Sequence, residues 1–334
     1  MGLKYDGGDR AMTAQALWTV AQNTFALRPV ALSDGEPGNV TLKALYSGVS
    51  RGTEGLVARG GVPESEWHRM RCPFQEGDFP FPVKYGYAFV GEIIDGPSER
   101  LGQRCFALHP HQSHAVLPGA AAVPLPNALP ARRAVLAANM ETAANIVWDS
   151  GAGPGDRVLI VGAGVVGLLT AHIIAGMPGA DVTIVDVNPA RKSLADTLGV
   201  QFSLPDAAPR DMDITINTSA SAAGLRLALE AAGRSARVVE ASWHGSNDVA
   251  LPLGGAFHSK RLSIVSSQVG DIPADRKARW DYTRRLSMAL RLLAQAPQLE
   301  ALLTHEIPFA DAPARLPILL APGAEALCPV LTYP

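Results

Sequence analysis

The residues with the plainest chemistry lie at 157–186. Arg157-Val-Leu-Ile-Val161 runs into Gly162-Ala-Gly164-Val-Val-Gly167, an apolar stretch follows, and Asp181-Val-Thr-Ile-Val-Asp186 closes the unit. The order is a buried strand, a G-x-G-x-x-G turn, a helix, and a second strand that ends on an acid. That spacing suits a dinucleotide. Gly162 permits the tight turn, Gly164 lets a pyrophosphate approach the backbone, and Gly167 lets the helix pack closely on the strand. The first helical turn, with the free amides of Val165 and Val166, presents N–H groups and a positive dipole end to phosphate. Asp186 stands where a carboxylate accepts both ribose hydroxyls of the adenosine half. A 2′-phosphate would be repelled there, so the predicted cofactor is NAD. Arg191, Ser242 and Ser267 complete the expected cofactor set. A glycine-rich turn without a ligand is the plainer alternative.

The elements that must position this unit can be read from composition and rhythm. A chain of 334 residues suggests two domains and a sizeable core. A net charge of −2 gives no pull towards nucleic acid or anionic lipid, and no apolar run is long enough for a bilayer span. The N-terminus has no signal-peptide pattern. Three scattered cysteines (Cys72, Cys105, Cys328) fit a reducing cytoplasm without a disulfide framework. Residues 1–11 form no pattern and read as a tag or extension, with Met12 as the natural start. Residues 13–130 read as short strands broken by turns, such as the cluster Asp34-Gly-Glu-Pro-Gly38. Residues 131–148 have helical spacing.

From Asp156 strands alternate with helices. Strands are predicted at 157–161, 181–186, 213–218, 236–241 and 261–266, and helices at 165–176, 189–198 and 221–231. Alternation of this kind implies a parallel sheet with right-handed crossovers. A further helix is predicted at 276–293, and Leu327–Tyr333 is expected to rejoin the first unit.

A β-rich unit, a nucleotide-binding unit and a returning tail resemble the medium-chain dehydrogenase/reductase family. Gly155-Asp-Arg-Val-Leu-Ile-Val161 with its glycine turn, Gly102-Gln-Arg-Cys-Phe106 and Ser266-Ser-Gln-Val-Gly270 carry the resemblance. It implies a Rossmann doubly wound parallel sheet at 151–271. It also implies a β-rich GroES-like barrel domain formed by 12–150 and 272–334, with the active site between the two. It further implies a homodimer joined through the cofactor domain.

Zinc alcohol dehydrogenases of this family bind catalytic zinc through a Cys, a His within G-H-E, and a Cys, Asp or Glu. They often add a four-cysteine lobe, which three cysteines cannot build. Here the corresponding motifs look like Ser47-Gly-Val-Ser50-Arg51-Gly-Thr53-Glu54, Gly86-Tyr87-Ala88 and Ala138-Asn139-Met-Glu141-Thr142. Ser50 stands at the cysteine and Tyr87 at the histidine. Hydroxyl and phenol are poor zinc donors, and Glu54 with Glu141 would hold the ion weakly, so no metal is predicted. The Ser-Gly-Val-Ser-x-Gly-Thr-Glu pattern with Gly-Tyr is also similar to bacteriochlorophyllide-type dehydrogenases. That zinc-free branch oxidises a hydroxyethyl group with NAD.

Without zinc, something else must steady a developing alkoxide. The expected set is Ser50 and Tyr87 on the substrate oxygen with Thr53 nearby. A cation beside Tyr87 would lower its pKa, and Arg51 or a histidine of the His109/His111 pair, taken as His111, would relay the proton. A space-filling role for Tyr87 is the alternative. His109-Pro-His111-Gln-Ser-His114 could in principle hold a metal, though a solvated or substrate-facing histidine edge is the plainer reading. Arg276–Trp280 reads as a solvated helix face, with Arg279 or Arg285 available to an anionic ligand. Trp243-His244 faces the nicotinamide or forms an ordinary loop. Cys72 and Cys105 read as packing residues. Arg59–Phe81 is long and aromatic, and as a cleft wall it suggests a bulky or ring-bearing small-molecule substrate. Three functions remain: a zinc-independent NAD(H) secondary-alcohol dehydrogenase or ketone reductase, an NAD(P)H quinone or enone reductase, and a non-catalytic NAD(H)-binding protein.

Overall fold

The chain opens with a hairpin of β1 (Thr13–Ala21) and β2 (Thr24–Ala31), turned at Asn23 in the left-handed region that asparagine tolerates. β3 (Asn39–Gly48) leads directly into α1 (Arg51–Ala58). β4 (Glu76–Gly77) and β5 (Val83–Lys84) join the hairpin in a sheet of order β2-β1-β5-β4. β6 (Phe89–Asp95), β7 (Arg104–Ala107), β8 (His114–Pro118) and β9 (Val123–Pro124) extend a second antiparallel array around β3. The computed structural model describes residues 13–32 and 36–334. The expected extension at 1–11, the start at Met12, and Asp34 and Gly35 of the turn cluster lie outside those residues.

α2 (Ala131–Ala134) and α3 (Ala137–Ser150) connect to the nucleotide-binding unit, and α3 stops at Gly151 in the left-handed conformation. There follow β10 (Arg157–Val161), α4 (Val165–Ala175), β11 (Asp181–Val185), α5 (Lys192–Thr197) and β12 (Gln201–Ser203). β13 (Met212–Asn217), α6 (Ala222–Ala231), β14 (Ala232–Glu240) and β15 (Ser263–Ser266) complete the sheet. Its six strands are parallel in the order β12-β11-β10-β13-β14-β15. The order reverses between β10 and β13, and a doubly wound sheet opens a ligand crevice at that point, outside the strand carboxyl ends. Val158 to Val161 are all buried, as expected for a strand covered on both faces. Asn188 caps the turn before α5, its side chain accepting Ala190 N at 3.0 Å with Pro189 in the first position.

The last elements are α7 (Tyr282–Gln295), β16 (Leu303–Pro308), α8 (Ala312–Leu319) and β17 (Cys328–Thr332). β17 pairs antiparallel with β3, Val330 opposite Gly48, so the tail rejoins the β-rich unit as expected. Two helices differ from expectation. α3 and α7 were grouped with the β-rich unit, yet Leu286, Ala289, Leu290 and Leu293 of α7 share one core with Met140 and Ile146 of α3 and Leu168 and Leu169 of α4. Their apolar faces cover the parallel sheet. Among the described residues no helix is long and apolar enough to cross a membrane.

Candidate active site

The three glycines of the turn have three different environments. Gly162 has φ +107, and a Cβ there would meet the Ser219 backbone at 2.9 Å. A Cβ on Gly167 would lie 2.0 Å from the Gly162 carbonyl oxygen. Gly164 caps α4 in an ordinary extended conformation and has no atom within 4 Å of an added Cβ. Its outer side is therefore an open cradle beside the first-turn amides of Val165 and Val166. Asp186 ends the neighbouring strand. One carboxylate oxygen accepts Ala163 N at 2.7 Å and the other accepts Asn188 N at 2.8 Å. Each oxygen keeps lone-pair capacity for a ribose hydroxyl.

The other expected cofactor residues divide. Arg191 donates to the Glu325 carbonyl at 3.1 Å from the edge of the same crevice. Ser242, just past β14, accepts Ala220 N at 2.9 Å and rests on the Asn217 carbonyl. Ser267 departs from its expected role. Its hydroxyl donates to Asp149 on α3 at 2.6 Å, so it anchors the late loop. Glu240 was not anticipated. Its carboxylate, at the carboxyl end of β14, accepts Asn217 Nδ2 and Ser242 N, both at 2.7 Å, and His244 Nε2 lies 3.4 Å away. Trp243 turns towards the β-rich unit, packing with Trp67 and Tyr87 against Val62, Cys72 and Phe79.

In the β-rich unit Ser50 precedes α1, and Ser50, Thr53 and Tyr87 are each half-buried. The Tyr87 phenol does not have the lowered pKa expected of it. Burial raises it and the Glu54 charge raises it further, while the Ser50 and Thr53 hydroxyls offset this only in part by hydrogen bonding. Arg51, the cation expected to act there, is turned away. It donates to the carbonyls of Leu319 (3.2 Å), Ala321 (2.9 Å) and Ala326 (3.4 Å), tying α1 to the end of α8. Desolvation, then Arg191 and Arg59, lower its pKa.

The same unit holds a buried polar set. Glu54 Oε1 accepts Ser50 N at 2.7 Å, and Glu54 Oε2 lies 2.8 Å from His111 Nε2. His111 Nδ1 is 2.7 Å from Ser47 Oγ, which is 2.8 Å from the Tyr333 hydroxyl. His109 is separate: it is buried between Phe74 and Phe89 with Nδ1 at 2.8 Å from the Pro110 carbonyl, and burial pushes it down to about 4. His114 lies on β8, beside Ser113.

The donors at the three vacated zinc positions are a hydroxyl, a phenol, and an alanine or an amide, which is not a zinc set. The nearby carboxylates are engaged. Glu54 faces His111, and Glu141 is paired with Arg285 at 3.0 Å. Arg285 also donates to Asn145 and the Val269 carbonyl, so it positions the late loop and is not free for an anionic ligand. Among the described residues no three His, Cys, Asp or Glu side chains are grouped to hold a metal. The segment 59–81 reaches both late loops: Ser246 Oγ donates to the Gly61 carbonyl at 3.3 Å, and Gln268 Nε2 lies 4.0 Å from Met70 Sδ.

Residues 140–226 match the family described as alanine dehydrogenase/PNT, C-terminal domain. L-galactonate-5-dehydrogenase of Escherichia coli K12 is 28% identical over 205 residues, 56% of this chain and 56% of that protein. Rat sorbitol dehydrogenase is 25% identical over 163 residues, 47% and 44% of the two chains. The match thus spans about half the length of these relatives. The fold likeness runs further. An alcohol dehydrogenase of E. coli CFT073 in complex with NADH superposes with a TM-score of 0.76 at 18% identity, covering 96% of this chain and 99% of the other. The fold is that of the alcohol dehydrogenases it superposes on, and the relatives support the likeness to the medium-chain dehydrogenase/reductase family. Its parallel sheet is the Rossmann unit and its β-rich part the GroES-like unit. A dehydrogenase of Sinorhizobium meliloti 1021 bound to NADP has the same TM-score at 17% identity, covering 96% and 99%.

Proposed function

We propose that this chain is a zinc-independent oxidoreductase that moves a hydride between NAD(H) and a secondary alcohol or ketone. The observation that carries the reading is a pair of surfaces in the one chain. One is the open cradle at Gly164; the other is a set of half-buried hydroxyls, Ser50 and Tyr87 at the positions where family members place zinc ligands and Thr53 close by in sequence. NAD, when bound, supplies the hydride acceptor or donor. Asp186, at the end of the second strand beside the glycine turn, supports NAD over NADP.

The neutral Tyr87 phenol donates a hydrogen bond to the substrate oxygen, and Ser50 and Thr53 orient it. A donor of this kind is worth about 2–4 kcal/mol of barrier. The aromatic wall of Trp67 and Trp243 suits a ring-bearing substrate. The β-rich unit holds the substrate, and the Rossmann unit, with α3 and α7 packed on its sheet, holds the cofactor. β15 ends the parallel sheet with one edge unpaired among the described residues, which supports a homodimer through the cofactor unit. Cysteines buried and unpaired suit the cytoplasm.

The test is NADH oxidation against panels of ketones, quinones and enones. Turnover of ketones, with Tyr87→Phe slowed about a hundredfold, is expected. Turnover confined to quinones or enones, an unaffected Tyr87→Phe enzyme, or one zinc per chain on metal analysis would each overturn the reading.

A further inference from the structure

Glu54 is 8% exposed and His111 1% exposed. The groups around the carboxylate are Cys72, Tyr85, Tyr87, Cys328 and Tyr333. Glu54 raises the pKa of each, adding to the larger effect of burial, so all stay neutral. His109 and Lys84 are the next titratable groups. Burial keeps His109 neutral, and Lys84 is bound to Glu76 and Gln112. The site therefore holds one buried carboxylate whose only ionisable hydrogen-bond partner among the described residues is an imidazole.

Hydrogen-bond roles along the chain of contacts follow from what each atom can do. An ionised carboxylate only accepts, so His111 Nε2 carries the proton that meets Glu54. In the neutral ring Nδ1 then accepts, and Ser47 O–H donates to it. Ser47 has no second proton, so the Tyr333 O–H donates to Ser47. With the ring neutral, every donor between Tyr333 and Glu54 points towards the carboxylate. A Cβ on Gly86, the residue before Tyr87, would meet the His111 ring at 2.9 Å, so the imidazole is also held sterically against the turn that presents Tyr87.

We propose that Glu54 is the proton acceptor of the site, and that His111, Ser47 and Tyr333 are positioning residues that keep it a carboxylate until it is needed. The inference rests on the oxidoreductase reading above. In alcohol oxidation the substrate C–H electron pair leaves as hydride to NAD+, and the O–H bond breaks. The proton passes by exchange from the Tyr87 phenol, which the Ser50 and Thr53 hydroxyls bond and the Glu54 charge reaches, to the Glu54 carboxylate. Glu54 changes from carboxylate to acid, and ketone reduction returns the proton by the same route.

Two measurements on the full chain test this. The first is nitrogen-15 NMR of labelled histidines, with His111 assigned by its loss in His111→Asn. A neutral ring protonated at Nε2 is expected, with Tyr333→Phe and Ser47→Ala shifting its tautomer balance. A ring protonated at Nδ1, or one indifferent to both variants, overturns the chain of donors. The second uses the ketones reduced in the panel above. Glu54→Gln is expected to bind NADH as wild type by fluorescence titration, to slow hydride transfer about a hundredfold or more, and to flatten its pH profile, with Glu54→Asp restoring part of both. Wild-type rate and pH profile in Glu54→Gln would overturn the acceptor role and leave the oxidoreductase reading standing. Failure of the wild-type protein to reduce any ketone would instead overturn that reading, and the acceptor role with it.

Discussion

Gly164→Ala separates cofactor binding from folding. In the folded chain nothing demands a glycine there. The backbone is at φ −79 and ψ −179, and an added Cβ has no atom within 4 Å. Alanine restricts the unfolded chain, a gain of about 0.4–1 kcal/mol. It is also a poorer N-cap than glycine, a loss of about the same size. The net change in stability is expected within about 0.5 kcal/mol, a melting shift of about 1–2 °C. Binding behaves differently. If phosphate oxygens must reach the first-turn amides, the methyl group occupies their approach. Steric overlap of this kind costs about 1–3 kcal/mol, and at 1.4 kcal/mol per decade NADH affinity falls about 5- to 150-fold. The assay is an NADH fluorescence titration beside a melting curve. Gly167→Ala is the control, because its Cβ would sit 2.0 Å from the Gly162 oxygen and must force helix and strand apart, so it loses stability first. A Gly164→Ala protein that melts normally and binds NADH at wild-type affinity would refute the cradle.

Three other outcomes are expected. Asp186→Ser should raise NADPH affinity relative to NADH about tenfold or more by removing the carboxylate that repels a 2′-phosphate; an unchanged ratio in competitive titrations would count against the NAD assignment. His109 is held near 4 against an ordinary 6.5, so it is neutral in the fold while the unfolded chain takes up a proton below 6.5. Stability from this group is therefore full above pH 6.5 and falls by about 3 kcal/mol as pH drops to 4. In His109→Gln that part of the acid dependence of urea unfolding should vanish, and an unaltered slope would show that His109 does not contribute. Arg285→Met should destabilise by about 3–5 kcal/mol, because Glu141 is left buried without its partner. Adding Glu141→Gln should recover much of that loss in denaturant titrations, and equal instability of single and double variants would refute the pairing.

What could be read from the chain and what could not divide by sequence distance. The turn at 162–167 was legible because its constraints are local. Gly162 and Gly167 are fixed by contacts within their own strand, turn and helix or the adjacent β13 end, and no other residue fits them. β10 matches its predicted limits for the same reason: an unbroken apolar run between charged Arg157 and Gly162 can only be a covered strand. α1 was missed because Arg51–Ala58 carries two glycines and its helix is held by tertiary contacts. Arg51 was misplaced because its partners are carbonyls at 319–326, and nothing near residue 51 announces them.

The polar set under Tyr87 follows the same rule. Ser50 and Tyr87 could be named because family motifs mark their positions. Glu54 meets His111 across 57 positions and Ser47 meets Tyr333 across 286, so no spacing expresses either pair. Cofactor binding is built from one contiguous βαβ unit. Proton handling, if Glu54 carries it, is built from β3, α1, the segment before β8 and the chain terminus. The pairing of β17 with β3 brings Tyr333 to Ser47, and replacements that weaken it should uncouple proton transfer from cofactor binding before they abolish the fold.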